Sequence, residues 1–400
     1  MNSDEKAVSL HRKLKGKIRI ESLPKIKTAE ELSLVYTPGV AAVCRKIKED
    51  SEEVYELTSK GNNVAIVTDG SAVLGLGNIG AEASLPVMEG KALLFHQFAG
   101  INAYPIALKS QNAKEIISLV KNISPSFAGI NLEDIASPRC FEIEEALQEI
   151  GIPVFHDDQH GTAVVVLAGL INASKVVGKK LEEMKIVVIG AGAAGTAITR
   201  MLLCIGFDKK ICSPVKKIIV LDVHGTLYKG RKNMNKWQKE IALKTNLEKI
   251  KGGIAETLKG ADAVIGVSTG NILTKEMIKG MNKDAIVFAM ANPIPEIMPA
   301  EALKAGAKVV GTGRSDFPNQ INNSLAFPGI FRGALDAKAM KINNSMKMSA
   351  AYALAGCVKN PSEKSILPTS LDKKFTYEIA KAVRKTAIET GVSRESCTKT

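Results

Sequence analysis

Twice along its length the chain alternates short apolar runs with segments of helical periodicity, and this alternation restricts the possible folds more than any other feature. From Asn63 the order is strand 64–68, helix 83–98, strand 103–108, helix 113–122, strand 127–131, helix 140–149 and strand 153–156. A second series opens at Lys185 with strand 185–190, helix 194–204 and strand 217–222, then strands at 263–267, 285–289 and 308–311. Strands separated by helices of this length need crossovers, which are right-handed and build parallel sheets. The expected architecture is α/β with two domains: an N-terminal α/β domain with a mainly parallel sheet over 1–160, and a Rossmann-type dinucleotide-binding domain over 161–330. An apolar helical run at 162–177 bridges them, and 331–400 is expected to be a helical tail that packs back on the first domain. A length of 400 residues favours two cores over one.

Apolar stretches such as 163–171 fall short of the roughly 18 residues that a membrane span needs. The polar segment 1–17 lacks the apolar region of a secretory signal, so a cytosolic protein with no membrane partner is expected. The net charge is +13, and eleven Lys and Arg face four acids over 216–259. With only 4% aromatic residues to stack on bases, this reads as a solvated basic face suited to anionic small molecules, and no nucleic-acid partner is expected. The six cysteines (44, 140, 204, 212, 357 and 397) show no C-x-x-C pair and no zinc or disulfide spacing, so reduced, packed thiols are expected.

Gly190-Ala191-Gly192-Ala193-Ala194-Gly195 follows an apolar strand directly and opens a helix, the context in which G-x-G-x-x-G binds a dinucleotide. Gly190 permits the tight turn, Gly192 lets backbone N–H groups approach a pyrophosphate, and Gly195 lets helix and strand pack closely. Asp222 ends the next strand, where a carboxylate accepts hydrogen bonds from the adenosine ribose. Asp222 repels a 2′-phosphate and favours NAD, yet Lys229, Arg231 and Lys232 follow it and can accept one, so NADP stays open. A second glycine loop, Gly75 to Gly80, lies several residues beyond its strand and reads either as a flexible turn or as a loop closing over a ligand.

Ligands of open α/β sheets gather outside the carboxyl ends of the strands. Glu133 and Asp134 follow one such strand, and Asp157 and Asp158 follow another. Four ionised carboxylates at one point repel unless a cation neutralises them, and all-oxygen ligation without Cys suits Mg²⁺ or Mn²⁺. Any of these acids can instead cap a following helix, and Asp157 can act from behind the metal ligands. His156 and His160 flank the acids and read as hydrogen-bonding or packing groups. Lys91 lies in an apolar helix, where burial and a nearby cation would lower its pKa toward that of a general base, unless Glu89 simply pairs with it. Tyr36, in LVYTPGVA, reads by itself as a packed aromatic. Asn292 at a strand end, with Asn322 and Asn323 in QINNSLAFPG, can fix a carboxylate or carboxamide without adding charge, or form Asx turns.

Together these segments resemble the short-form malic enzymes over nearly the whole chain, through LVYTPGVA, VTDGSAVLGLGNIG, PVMEGKALLF, NLEDIASPRCFEIE, PVFHDDQHGTA, VVIGAGAAG, ANPIPE and NNSLAFPG. The resemblance implies oxidative decarboxylation of malate to pyruvate and CO₂, reduction of NAD or NADP, a requirement for Mg²⁺ or Mn²⁺, and a homodimer. It puts the metal ligands at Glu133, Asp134 and Asp158, the general base at Lys91, the proton donor to carbon at Tyr36, and the amides that hold substrate and nicotinamide at Asn292 and at Asn322 or Asn323. Two departures, Asn78 within GNIG and Asn102, stand where the family commonly has acids, and bear on loop closure and regulation rather than on the reaction. The competing enzyme reading is a two-domain amino-acid dehydrogenase, which needs no metal and is separated by chelator sensitivity. The competing non-catalytic reading is a dinucleotide sensor or nucleic-acid binder, which a steep salt dependence of DNA binding would be needed to support.

Overall fold

The computed structural model describes residues 3–73, 75–370 and 372–395. The first domain holds a four-stranded parallel sheet made of β1 (Asn63–Thr68), β2 (Asn102–Ala107), β3 (Gly129–Leu132) and β4 (Val154–His156), in the order β2-β1-β3-β4. All six residues of β1 are buried, because helices cover both faces of the sheet. Val64 and Ile66 turn toward Met88 and Phe95 of the helix Ala81–Ala99. Ala65 and Val67 turn the other way, toward Ile116 and Val120 of Ala113–Ile123 and Cys140 of Arg139–Leu147.

The second sheet has six strands: β5 (Lys185–Ile189), β6 (Lys217–Asp222), β7 (Gly225–Thr226), β8 (Ala263–Gly266), β9 (Ala285–Ala289) and β10 (Ala307–Thr312), in the order β10-β9-β8-β5-β6-β7. All pairings are parallel except that of β7, a two-residue return on β6 that no periodicity announces. The order reverses between β5 and β8, so a crevice opens at their carboxyl ends.

The expected bridging helix begins earlier than its apolar run. It spans Asp157–Val176, starting directly after β4, so Asp157 and Asp158 occupy its first turn and His156 caps it. Acids there face the positive end of the helix dipole, which sequence periodicity weighs only weakly. Beyond the second sheet, helices Phe327–Asp336, Asn344–Gly356 and Lys374–Glu389 follow. Phe327 and Phe331 set their rings 4.7 and 5.2 Å from that of Phe95, and Phe375 lies 6.2 Å from Phe98.

The expectation of six reduced thiols fails at Cys204 and Cys212, which form a disulfide. The chain reverses after the helix Ala193–Leu202, with Cys204 in left-handed backbone and Val215 N–H donating to the Leu202 carbonyl. That reversal brings the two Cα atoms to 5.8 Å, inside the range a disulfide spans. Cys44, Cys140 and Cys357 are free, and Cys397 lies outside the described residues. Among the described residues no helix is long and apolar enough to cross a membrane.

The segment before β1 departs most from an ordinary packed domain. Helices Ala29–Val35 and Val40–Glu49 contain no buried residue, and Ile20, Leu23, Leu34 and Tyr36 are 88%, 96%, 67% and 68% exposed. Large apolar side chains are thus collected on one exposed arm.

Candidate active site

Four carboxylates and one amine meet where the carboxyl ends of β3 and β4 face the helix Ala81–Ala99. Lys91, 7% exposed, is paired with Asp157 Oδ2 and lies 2.5 Å from Glu133 Oε1. Asn131, two residues before Glu133 and on the same face of β3, donates to Glu133 Oε2 at 2.9 Å. Asp134 adopts φ 53°, and its backbone N–H donates to Asp158 Oδ2 at 2.9 Å. The Phe327 ring lies under the Lys91 ammonium, 4.5 Å from Nζ. Gly161 is required beside them, because a Cβ there would stand 1.7 Å from Asp157 Oδ1.

Glu133, Asp134 and Asp158 each bring an oxygen within 4.8 Å of the others. Burial is the first cause of their raised pKa values, and mutual repulsion adds to it: Glu133 is pushed to about 7 and Asp134 to about 9, and Asp158 also moves up. Burial likewise lifts Asp157 to about 7 against the pull of Lys91. Asp134 Oδ2 is buried without a hydrogen-bond partner among the described residues. An orphaned carboxylate oxygen within an all-oxygen donor set fits a hard divalent cation.

The expectation for Lys91 joined burial to a nearby cation, and the protein groups by themselves set two opposing effects on the amine. Burial does pull Lys91 downward, but the charges of Asp157, Glu133 and Asp158 outweigh it and hold the ammonium above its usual range. Glu89, the alternative partner, instead accepts from the Lys17 backbone N–H. His156 and His160 take the hydrogen-bonding roles expected of them. His156 Nδ1 accepts from Gln159 N–H, and His160 Nε2 bonds to Glu144 at 2.9 Å.

A crevice of about 1000 Å³ opens at the second sheet, lined by Ser137 and Pro138 of the first domain and by Gly190, Ala191, Gly192 and Asp222 of the second. A Cβ on Gly195 would meet the Gly190 carbonyl at 1.7 Å, whereas one on Gly192 would meet nothing within 4 Å. Gly195 is therefore a packing glycine and Gly192 faces open crevice, as a pyrophosphate cradle demands. Ala193 and Ala194 open the helix that follows. Asp222 is already engaged: Arg231 Nη1 donates to Oδ1 at 2.7 Å and Nη2 to Oδ2.

The glycine loop at 75–80 reaches the second domain, since a Cβ on Gly75 would stand 2.4 Å from the Asn292 carbonyl. Within that loop Asn78 pairs with the Gln111 amide. The Asn323 Cβ approaches Gly161 and so lies beside Asp157, while Asn322 folds into the local turn expected as its alternative, accepting from Ser324 N–H. Tyr36 is not brought to this cluster: among the described residues no side-chain hydrogen bond or ring contact links it to Lys91 or the acids.

The sequence reading passed over Asn131 and the clamp formed by Asp69, Ser71 and Arg139. Arg139 Nη2 donates to Asp69 Oδ2 at 2.7 Å and to Ser71 Oγ at 2.8 Å, tying the turn after β1 to the segment that carries Asp134. The signal for Asn131 was available in the two-residue strand period. That for Arg139, which joins residues 70 positions apart, was not.

A glycine cradle at the carboxyl end of a parallel sheet, in a chain that also buries an amine among carboxylates, defines a nicotinamide-dependent oxidoreductase. Comparison with known proteins narrows the class. The family model "Malic enzyme, N-terminal domain" matches residues 15–148, and "Malic enzyme, NAD binding domain" matches 159–388. A bifunctional malic/malolactic enzyme of Bacillus subtilis is 53% identical over 98% of this chain and 95% of its own length. An NADP-dependent malic enzyme of Halomonas elongata is 42% identical over 97% and 94%. The crystal structure of an NAD-dependent malic enzyme from Thermotoga maritima superposes with a TM-score of 0.90 at 50% identity, covering 94% of this chain and 98% of that one. The chain belongs to the malic enzyme family.

Proposed function

We propose that the protein catalyses oxidative decarboxylation of L-malate to pyruvate and CO₂, with Lys91 as general base, Glu133, Asp134 and Asp158 holding Mg²⁺ or Mn²⁺, and NAD as the preferred oxidant. The observation that carries this reading is the Lys91 ion pair with Asp157 and Glu133 beside the three-carboxylate cluster. When bound, the cation acidifies the substrate hydroxyl and offsets developing negative charge, and the nicotinamide accepts a hydride. With the charge of Glu133, Asp134 and Asp158 shared with a bound cation, Lys91 would be held protonated less firmly and could take the C2 hydroxyl proton. Asp157 and Glu133 fix the amine's position, and Phe327 keeps water from its far side. The test is nicotinamide absorbance with L-malate, each cofactor and each metal in turn, before and after chelation. Turnover that survives full chelation would sink the reading.

Cofactor choice follows from the Asp222–Arg231 pair. Its two parallel hydrogen bonds neutralise the position where a 2′-phosphate would sit, and NADP would have to break them. Asp222→Ser releases the guanidinium, and the ratio of kcat/KM for NADP over NAD should rise about 10- to 100-fold, the worth of charged hydrogen bonds. An unchanged ratio would remove Asp222 from cofactor selection.

The exposed arm supports a homodimer in which Tyr36 serves the site of the second copy and protonates C3 after CO₂ leaves. Tyr36→Phe should leave reduction of supplied oxaloacetate nearly intact while slowing pyruvate formation. Mixing Tyr36→Phe with Lys91→Met subunits should then restore about a quarter of normal turnover, since half the dimers are mixed and each of those holds one intact site. If mixing restores nothing while both variants exchange subunits, Tyr36 acts within its own chain.

A further inference from the structure

Lys347 stands in the first turn of the helix Asn344–Gly356 and is 6% exposed. Two physical terms oppose a cation there: burial strips its hydration, and the helix N-terminus already carries partial positive charge. Burial draws the ammonium below its usual range, with the charge of Glu144 acting the other way. Among the described residues Nζ has no hydrogen-bond acceptor and no ion-pair partner. Lys347 lines a cavity of about 350 Å³ closed by the helix Arg139–Leu147 of the first domain, the helix Ala193–Leu202 of the second, and Ile342 to Asn344 at the start of the tail helix.

The other charges around that cavity have partners, although burial lowers His160 to about 4, so its bond to Glu144 is to a neutral imidazole near pH 7, and Glu144 Oε1 has no hydrogen-bond partner among the described residues. Glu144 bonds to His160, Arg200 to Glu240, Glu145 to Lys236 and the Trp237 indole, and Lys341 to Glu149. A cation without a hydrogen-bond partner at a helix N-terminus is suited to an anion, and Phe141, Ile205 and Phe207 add apolar surface to an otherwise largely polar lining. The ionised Glu144 nearby disfavours a dianion. We propose that this cavity binds a small monocarboxylate, with its carboxylate on Lys347 and its alkyl end against Phe141, Ile205 and Phe207. Gln159 and His160 line the same cavity, so the ligand would rest against the helix turn that follows Asp158.

Propionate is the probe, and its binding to the full-length protein is read by saturation-transfer NMR, a measurement independent of the reaction catalysed. Binding should be seen with the methyl protons most strongly saturated. Lys347→Met should weaken it at least about ten-fold, the loss expected for one charged hydrogen bond, and Lys347→Arg should retain it. Lys91→Met should also retain it. Unchanged affinity in Lys347→Met, or loss in Lys91→Met, would place the propionate elsewhere and overturn the proposal. Displacement by inorganic phosphate at equal concentration would overturn the carboxylate assignment. Should Lys347→Met fail to fold, NOEs in the unmodified protein decide: contacts from the propionate methyl to the Phe207 ring support the site, and their absence rejects it.

Discussion

Lys91→Met is expected to lower kcat for malate oxidation by about a thousand-fold, within the range that general acid–base groups supply, while the dissociation constant of NAD stays within about two-fold. The amine reaches no part of the glycine cradle, so cofactor affinity is the internal control. Stability carries a second signature. Without the amine, Asp157 and Glu133 lose their buried counter-charge, and breaking a buried pair costs about 3–5 kcal/mol. A cation on the acids should return most of that loss. The variant is therefore expected to melt well below the parent after chelation and close to it in Mg²⁺. Lys91→Arg separates charge from proton mobility: the guanidinium keeps the ion pairs but does not release a proton near neutrality, so its melting temperature should recover while kcat does not. Recovery of turnover in Lys91→Arg would mean that position 91 acts as a fixed charge rather than as a base.

These expectations rest on a site that was legible in the sequence to an uneven degree. The cradle at 190–195 could be read because a tight turn, a close approach and a close packing contact each demand glycine, and the spacing is local. Glu133 and Asp134 could be read because strand ends in a parallel sheet share one edge. Asp157 and Asp158 were placed beside the same edge, but their position inside a helix depends on His156 acting as cap, a role few sequences assign to histidine. Only part of the balance at Lys91 was legible, because desolvation is visible in an apolar run, whereas the opposing charges lie 42 and 66 residues away at Glu133 and Asp157.

Long-range pairings explain the remaining gaps. Cys204 and Cys212 join because a left-handed residue reverses the chain, and neither residue type nor spacing signals that. Arg231 was noted as a candidate phosphate ligand, yet only the return through β7 turns its guanidinium back onto Asp222. Tyr36 looked like a packed aromatic, and the structure leaves it 68% exposed on an arm whose helices bury no residue.

The three acids carry the second large effect, and Asp134→Asn tests it with the least disturbance. Asparagine tolerates the left-handed φ of 53° at this position, and the backbone N–H to Asp158 is untouched, so the turn should persist. Removing one charged ligand is expected to weaken Mg²⁺ binding about a hundred-fold or more, and turnover at micromolar metal should fall in proportion. Stability should move the other way in chelator. Burial and the neighbouring carboxylates raise Asp134 from an ordinary 3.8 to about 9, so the native state holds a proton that the unfolded chain has lost. Native stability therefore falls as pH climbs from about 4 to about 9, and the penalty is large at pH 8. Asparagine never ionises and escapes that penalty, so the chelated variant should melt above the chelated parent at pH 8, with the gap closing toward pH 4. Saturating Mg²⁺ should reverse the order, since the parent gains more from binding. A variant that melts lower than the parent in both conditions would show Asp134 to be a structural acid, and the cation would then have to be sought elsewhere.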